Sequence, residues 1–297
     1  EYPFAKLKNR RKKFTFFRDY YYIFFYQPII MKTFIRRPGN KTKHLKHIIP
    51  LLPKEYNTYI EPFVGTGALF LHLLPEKWII NDLNKDVANI WKLVRDDPKY
   101  MISEIDKFKK KFSHLDNDAK LKMCKKITSG LDNLKGKKRT IMYLIMVYCS
   151  YTGIVTDKFN GLNRNYMRGS YNMFSENYRI KIIDLTELMK FGEVYSDDYV
   201  KVLQKVKKGD FVFLDPPYIE EKDYNFKYNK DEILDDKFLK NLEISVEKLN
   251  RKQVKWMMTQ ADTPTIRKIF SKYKISKYDV NNGISKSKRC ELIIMNY

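Results

Sequence analysis

Cysteine and histidine are scarce in this chain. Its three cysteines, Cys124, Cys149 and Cys290, are scattered and odd in number, and no Cys-x-x-Cys occurs. A disulfide framework and a zinc ribbon are therefore excluded, and a reducing, intracellular location is expected. Of the four histidines (His44, His47, His72 and His114), only His44 and His47 are close enough to share a helix face, and no third ligand accompanies them. No metal is expected. Long apolar runs are missing too, since none reaches the roughly 18 residues of a membrane helix. The nearest candidate, Phe14 to Ile30, follows a basic stretch but is interrupted by Arg18 and Asp19, and no small-residue cleavage site follows it. Acidic residues are outnumbered: 35 Asp+Glu face 58 Lys+Arg, a formal net charge of +23. Such a surplus draws a chain to a polyanion and makes that binding salt-dependent, although a lysine-rich composition alone would produce it.

What remains is ample for a core: 43% of the residues are hydrophobic, including 22 Tyr and 19 Phe. The recognisable pattern starts after Met31, so residues 1–30 are expected to be an appended extension of unreadable role. Thr42 to Leu52 has helical spacing stopped by Pro50 and Pro53. Tyr59 to Phe63 and Trp78 to Ile80 read as buried strands separated by a glycine turn and a helix, Ala68 to Leu74. A long lysine-rich helical region then runs to about Leu134, followed by a polar loop over Gly153 to Asn172. Phe211 to Leu214, Val254 to Met258 and Leu292 to Met295 read as further strands. Strands alternating with helices on both sides of a mostly helical middle block predict an α/β fold, with a doubly wound parallel sheet interrupted by an insert. The boundaries expected are 31–92 with 185–297 for the sheet domain, and 93–184 for the insert.

Three motifs sit at strand ends. Glu61-Pro62-Phe63-Val64-Gly65-Thr66-Gly67 brings a tight glycine turn between strand and helix, where backbone can approach a ligand closely; a dinucleotide fingerprint would need a third glycine where Phe70 stands. Asp82, after the next strand and about 20 residues past the glycine turn, can accept from ribose hydroxyls, or it caps the following helix. Asp215-Pro216-Pro217-Tyr218 closes a third strand. Two prolines there can neither continue a ladder nor open a helix normally, so they fix an extended loop. That loop offers a carboxylate and a free carbonyl to an exocyclic amine, and an aromatic plane to a base.

From about Ile35 to Tyr297 the chain resembles the Dam-like, alpha-type family of DNA adenine methyltransferases. The resemblance implies a Rossmann-like methyltransferase sheet, S-adenosylmethionine as cofactor, double-stranded DNA as substrate, and residues 93–184 as the target-recognition domain. It further implies catalytic roles for Asp215, Pro216, Pro217 and Tyr218. Cofactor contacts are implied for Glu61, Phe63, Gly65, Gly67, Asp82 and Asp198, and for Arg37, Gly39 and Lys41 in Arg37-Pro38-Gly39-Asn40-Lys41, where Arg37 replaces a family aromatic. Phe159-Asn160-Gly161-Leu162-Asn163-Arg164-Asn165-Tyr166-Met167-Arg168-Gly169-Ser170-Tyr171-Asn172 resembles the family's recognition loop, with Phe159 and Asn160 as a wedge and Arg164, Arg168 and Asn172 reading or gripping DNA. Lys286 and Lys288, before the last strand, match a closing DNA-contact loop. A companion restriction nuclease, and a monomer against a homodimer, are left open.

The implied reaction is direct methyl transfer to the 6-amino group of a flipped-out adenine. Competing readings are a cytosine 4-amino methyltransferase, which typically carries Ser in place of Asp215, an RNA or protein methyltransferase, and a non-catalytic DNA-binding subunit of the same fold.

Overall fold

The computed structural model describes residues 33–150, 153, 155, 177–218, 236–281 and 288–297. Its segment before the first strand is three short pieces rather than the one helix expected over Thr42–Leu52: a 3-10 turn at Lys41–Lys43, α1 at Leu45–Ile48 and a second 3-10 turn at Ile49–Leu51. Pro50 falls inside the last piece, where it has no N–H to continue an α ladder.

The chain then runs β1 (Tyr59–Glu61), α2 (Ala68–Leu73), β2 (Trp78–Asn81), α3 (Lys85–Asp96), α4 (Pro98–Ser113), α5 (Asn117–Ser129), α6 (Gly136–Cys149) and α7 (Tyr178–Met189). It continues with β3 (Gly192–Tyr195), α8 (Tyr199–Gln204), β4 (Phe211–Leu214), α9 (Asp236–Arg251), β5 (Lys255–Ala261), α10 (Pro264–Ile269), β6 (Lys274–Asn281) and β7 (Lys288–Met295). The long helical region divides where aspartates cap new helices: Asp97 accepts from the Tyr100 N–H ahead of Pro98, and Asp116 from the Ala119 N–H.

The sheet order is β3-β2-β1-β4-β5-β7-β6, with only β7 antiparallel to its neighbours. Strand β4 is buried on both faces, as its unbroken Phe-Val-Phe-Leu run requires. Alternate residues feed two cores. Tyr59, Phe211, Phe213, Met257, Ile293 and Met295 join the side covered by α3, α4, α6 and α7. Ile60, Val212, Leu214, Trp256, Met258, Leu292 and Ile294 join the side covered by α8, α9 and α10. Helices α4, α6 and α7 thus share one apolar cluster with β1 and β2, and Arg139 of α6 locks onto α3 through a two-pronged contact with Asp86 at 2.8 and 2.9 Å.

The chain lays down β1, β2 and β3 outward in one direction, then returns to place β4 on the other side of β1. That reversal opens a crevice beyond the carboxyl ends of β1 and β4, the place where open α/β sheets bind ligands.

Candidate active site

On the β1 side of the crevice, the glycine turn is built on backbone that only glycine adopts comfortably. Gly65 has φ +46° and Gly67 has φ +66°. A Cβ on Gly67 would sit 2.8 Å from the Trp91 ring, so α3 packs directly on the turn; a Cβ on Gly65 would meet nothing within 4 Å. The Gly65 N–H donates to Asp82 Oδ2 at 3.0 Å and its carbonyl accepts from Trp91 Nε1 at 3.2 Å. Asp82 Oδ1 accepts from the Asn84 N–H at 2.9 Å. The cap of α3 is Asn84, which accepts from the N–H groups of Asp86 and Val87, so Asp82 is not the helix cap. Burial raises the Asp82 carboxyl above its ordinary range, against the opposing charge of Arg37 and the two N–H bonds. Arg37 itself has a buried Nη1 with no hydrogen-bond partner among the described residues.

Asn81 joins the turns after β1, β2 and β3. Its amide donates to the carbonyls of Pro62 at 2.9 Å and Asp197 at 3.0 Å, and accepts from the Asp197 N–H at 2.9 Å. Asp198 caps α8 by accepting from the Val200 N–H at 2.8 Å. Phe63 is half-buried against Tyr199, with ring centroids 5.0 Å apart.

On the β4 side, four strands and the residue just after β4 each place one polar side chain on the same face: Glu61, Thr259, Glu291 and Tyr278 from the strands, and Asp215 after β4. Asp215 Oδ1 pairs with Lys41 Nζ at 2.8 Å and accepts from Thr259 Oγ1 at 2.6 Å. Among the described residues Oδ2 accepts nothing. Lys41 is buried, reaches the Gly39 carbonyl at 3.3 Å and lies 4.6 Å from the Tyr218 ring centroid. The Tyr218 hydroxyl donates to Glu291 Oε2 at 2.9 Å, and Tyr278 donates to the same oxygen at 2.7 Å. Burial, with the Asp215 and Glu291 charges, pushes the Tyr218 phenol far above its usual range. Glu61, 3% exposed, accepts from Tyr59 at 2.6 Å, and burial raises its carboxyl to about 8.

These contacts tie Gly65 and Asp82, with the Arg37 charge, on one side, and Gly39, Lys41, Asp215 and Tyr218 on the other; Glu61 ends β1 within reach of the Asp215 charge, while Phe63 packs on Tyr199, Gly67 on Trp91, and Asp198 caps α8. Phe159, Asn160, Arg164, Arg168, Asn172 and Lys286 lie outside the described residues, and of Lys288 only the backbone, at the start of β7, is described. Sequence reasoning missed Asn81, Thr259, His44, Tyr278 and Glu291. For Glu291 the signal was available: an acid next to the apolar run Leu292–Met295 is costly unless partnered. Among the described residues no group of three or more His, Cys, Asp and Glu is placed to hold a metal ion, and no helix is long and apolar enough to cross a membrane.

A seven-stranded sheet of this order, with a glycine turn and an Asp-Pro-Pro-Tyr loop following its adjacent parallel strands β1 and β4, is a Rossmann-like methyltransferase fold. A family model for the D12 class N6 adenine-specific DNA methyltransferases matches residues 38–284, and the chain belongs to that family. It is an adenine-specific DNA methyltransferase, which sets aside the cytosine, RNA, protein and non-catalytic readings, and membership implies S-adenosylmethionine as methyl donor. The type II methyltransferase M1.LlaDCHI of Lactococcus lactis subsp. cremoris is 28% identical over 295 residues, covering 91% of this chain and 96% of its own. The type II methyltransferase M.MjaIII of Methanocaldococcus jannaschii is 28% identical over 296 residues, covering 90% and 99%. The DNA adenine methylase of Haemophilus influenzae is 25% identical over 266 residues, covering 86% and 88%.

Proposed function

We propose that the crevice takes S-adenosylmethionine on its β1–β2 side and an extruded adenine on its β4 side, with Asp215, the Pro216 carbonyl and Tyr218 positioning the 6-amino group. The observation that carries this reading is the state of Asp215. One carboxylate oxygen is fixed by Lys41 and Thr259, and the other is left for a hydrogen of the amine.

The β1–β2 side suits the cofactor: Gly65 opens onto empty space, the Asp82 carboxylate suits ribose hydroxyls, and Arg37 carries an unpartnered buried N–H group. Gly39, Glu61, Phe63, Gly67 and Asp198 complete that side. When bound, the cofactor supplies a methyl carbon on a positively charged sulfur and is left as a neutral thioether. The chain's own part is positioning and electrostatics. Asp215 and the Pro216 carbonyl accept the two amine hydrogens, so the nitrogen lone pair is drawn out of the purine ring and becomes a nucleophile. Once the new N–C bond makes the nitrogen cationic, its proton passes readily to Asp215. The Tyr218 ring offsets part of the few kcal/mol of base extrusion by stacking, worth about 1–3 kcal/mol.

DNA reading is assigned to residues 93–184, with Phe159 and Asn160 holding the stack open, Arg164, Arg168 and Asn172 on base edges or phosphates, and Lys286 and Lys288 on the backbone. The likeness to type II methyltransferases supports a modification role beside a companion restriction nuclease. Single-turnover methylation of duplex DNA tests the reading. Asp215→Ala is expected to slow transfer by about 10²–10³-fold or more while S-adenosylmethionine still binds calorimetrically; near-normal transfer by that variant would exclude it.

A further inference from the structure

The base-stacking ring proposed above stands on a loop, not in a ladder. Tyr218 follows two prolines past the end of β4, so no strand pairing fixes its ring plane. Its hydroxyl is tied instead to Glu291 Oε2 at 2.9 Å. That oxygen is itself crowded with donors: Tyr278 Oη at 2.7 Å and His44 Nδ1 at 3.1 Å, with His44 Nδ1 also 3.0 Å from Tyr278 Oη. Both tyrosine hydroxyls donate to this oxygen, and the tautomer with its proton on His44 Nδ1 adds a third donor, a set that suits an ionised carboxylate.

The carboxylate's position is set by the sheet. Glu291 pairs across β7 with Ala261 of β5 on one side and Tyr278 of β6 on the other. The first helical segment adds a second connection, because Lys41 contacts Asp215 and the Tyr218 ring while His44, three residues on, contacts Glu291. Both halves of the proposed amine grip are thus referred to one short segment. A buried charge in an otherwise apolar run costs stability, and a network closed by His44 and Tyr278 alone would satisfy it without the Tyr218 hydroxyl.

We propose that Glu291 is a positioning residue for methyl transfer: its carboxylate fixes the Tyr218 ring through the phenol hydroxyl, and Tyr278 and His44 fix the carboxylate. This rests on the stacking role given to Tyr218.

The test uses the full chain, S-adenosylmethionine and a duplex carrying the mapped site, with adenine or 2-aminopurine at the target position. Glu291→Gln is expected to slow single-turnover transfer by about 10-fold or more, with cofactor and DNA dissociation constants within roughly twofold of wild type. Its 2-aminopurine signal on binding should exceed wild type, because an extruded base on a loose ring is less quenched. Tyr218→Phe, which deletes one hydroxyl and keeps the ring, should reproduce the rate loss, and the double variant should be no slower than the slower single within about twofold. A Glu291→Gln rate within about twofold of wild type, or rate losses that multiply in the double variant, would overturn the inference alone. Wild-type chain that transfers no methyl to adenine would instead defeat the underlying reading.

Discussion

Glu61 and Glu291, on the same face of the sheet, are driven in opposite directions. Burial raises Glu61 most; the Tyr59 hydrogen bond opposes this and the Asp215 charge adds to it, leaving the carboxyl at about 8 from an ordinary 4.5. Burial would raise Glu291 as well, but the His44 bond, the Lys41 charge and the Tyr278 hydroxyl hold it at about 2. The consequences for stability have opposite signs. Glu61 contributes stability in full below the unfolded value, and that contribution is lost as pH rises toward 8, because only the unfolded chain has released its proton in that window. Glu291 contributes above the unfolded value, and its share is lost as pH falls toward 2. Glu61→Gln is therefore expected to flatten the decline in the urea midpoint between about pH 5 and 8 by an amount worth a few kcal/mol; parallel curves for the two proteins would contradict this. The Glu61 role was not legible residue by residue. Glu61 stands out only as the residue before Pro62, and its neutrality depends on the depth of β1 and on Asp215, which lies 154 positions along the chain.

At the scale of elements, Asn81 does what no single strand can. One buried amide holds the turns after β1, β2 and β3 together, so the glycine turn, Asp82 and Asp198 keep a common frame. Asn81→Ala leaves two carbonyls and one N–H unpaired, at about 1–3 kcal/mol for each buried group left unsatisfied. A lower Tm accompanied by weakened S-adenosylmethionine binding is expected; weakened stability with unchanged cofactor affinity would mean that the turns hold their places without it. The central strands were plain in the sequence because burial on both faces leaves an unbroken apolar run, as in Phe211–Leu214. The edges were not. Strand β3 buries only Val194, and β6 carries Lys274 and Lys277, so neither shows such a run. The long helical region expected up to about Leu134 divides into separate helices, because Asp97 and Asp116 act as caps and not as surface charges.

For the molecule as a whole, chain order and charge decide what it can do. The return of the chain from β3 to β4 puts the glycine turn and the Asp-Pro-Pro-Tyr loop after adjacent parallel strands, and this placement was readable because both motifs sit at strand ends. The ties between Lys41 and Asp215, or Glu291 and Tyr218, were not, since they join positions far apart in the chain. A net charge of +23 predicts DNA affinity that falls linearly in log–log terms with salt, by a slope of about −0.9 per phosphate neutralised; a flat response would remove phosphate contact as the source of affinity. The most direct measurement of the central claim is base-resolved mapping of modified bases in DNA from cells making either the wild-type chain or Asp215→Ala. N6-methyladenine within one defined sequence for wild type, and none for the variant, is the expected result. Methylation at cytosine, or an unchanged adenine pattern without the Asp215 carboxylate, would contradict it.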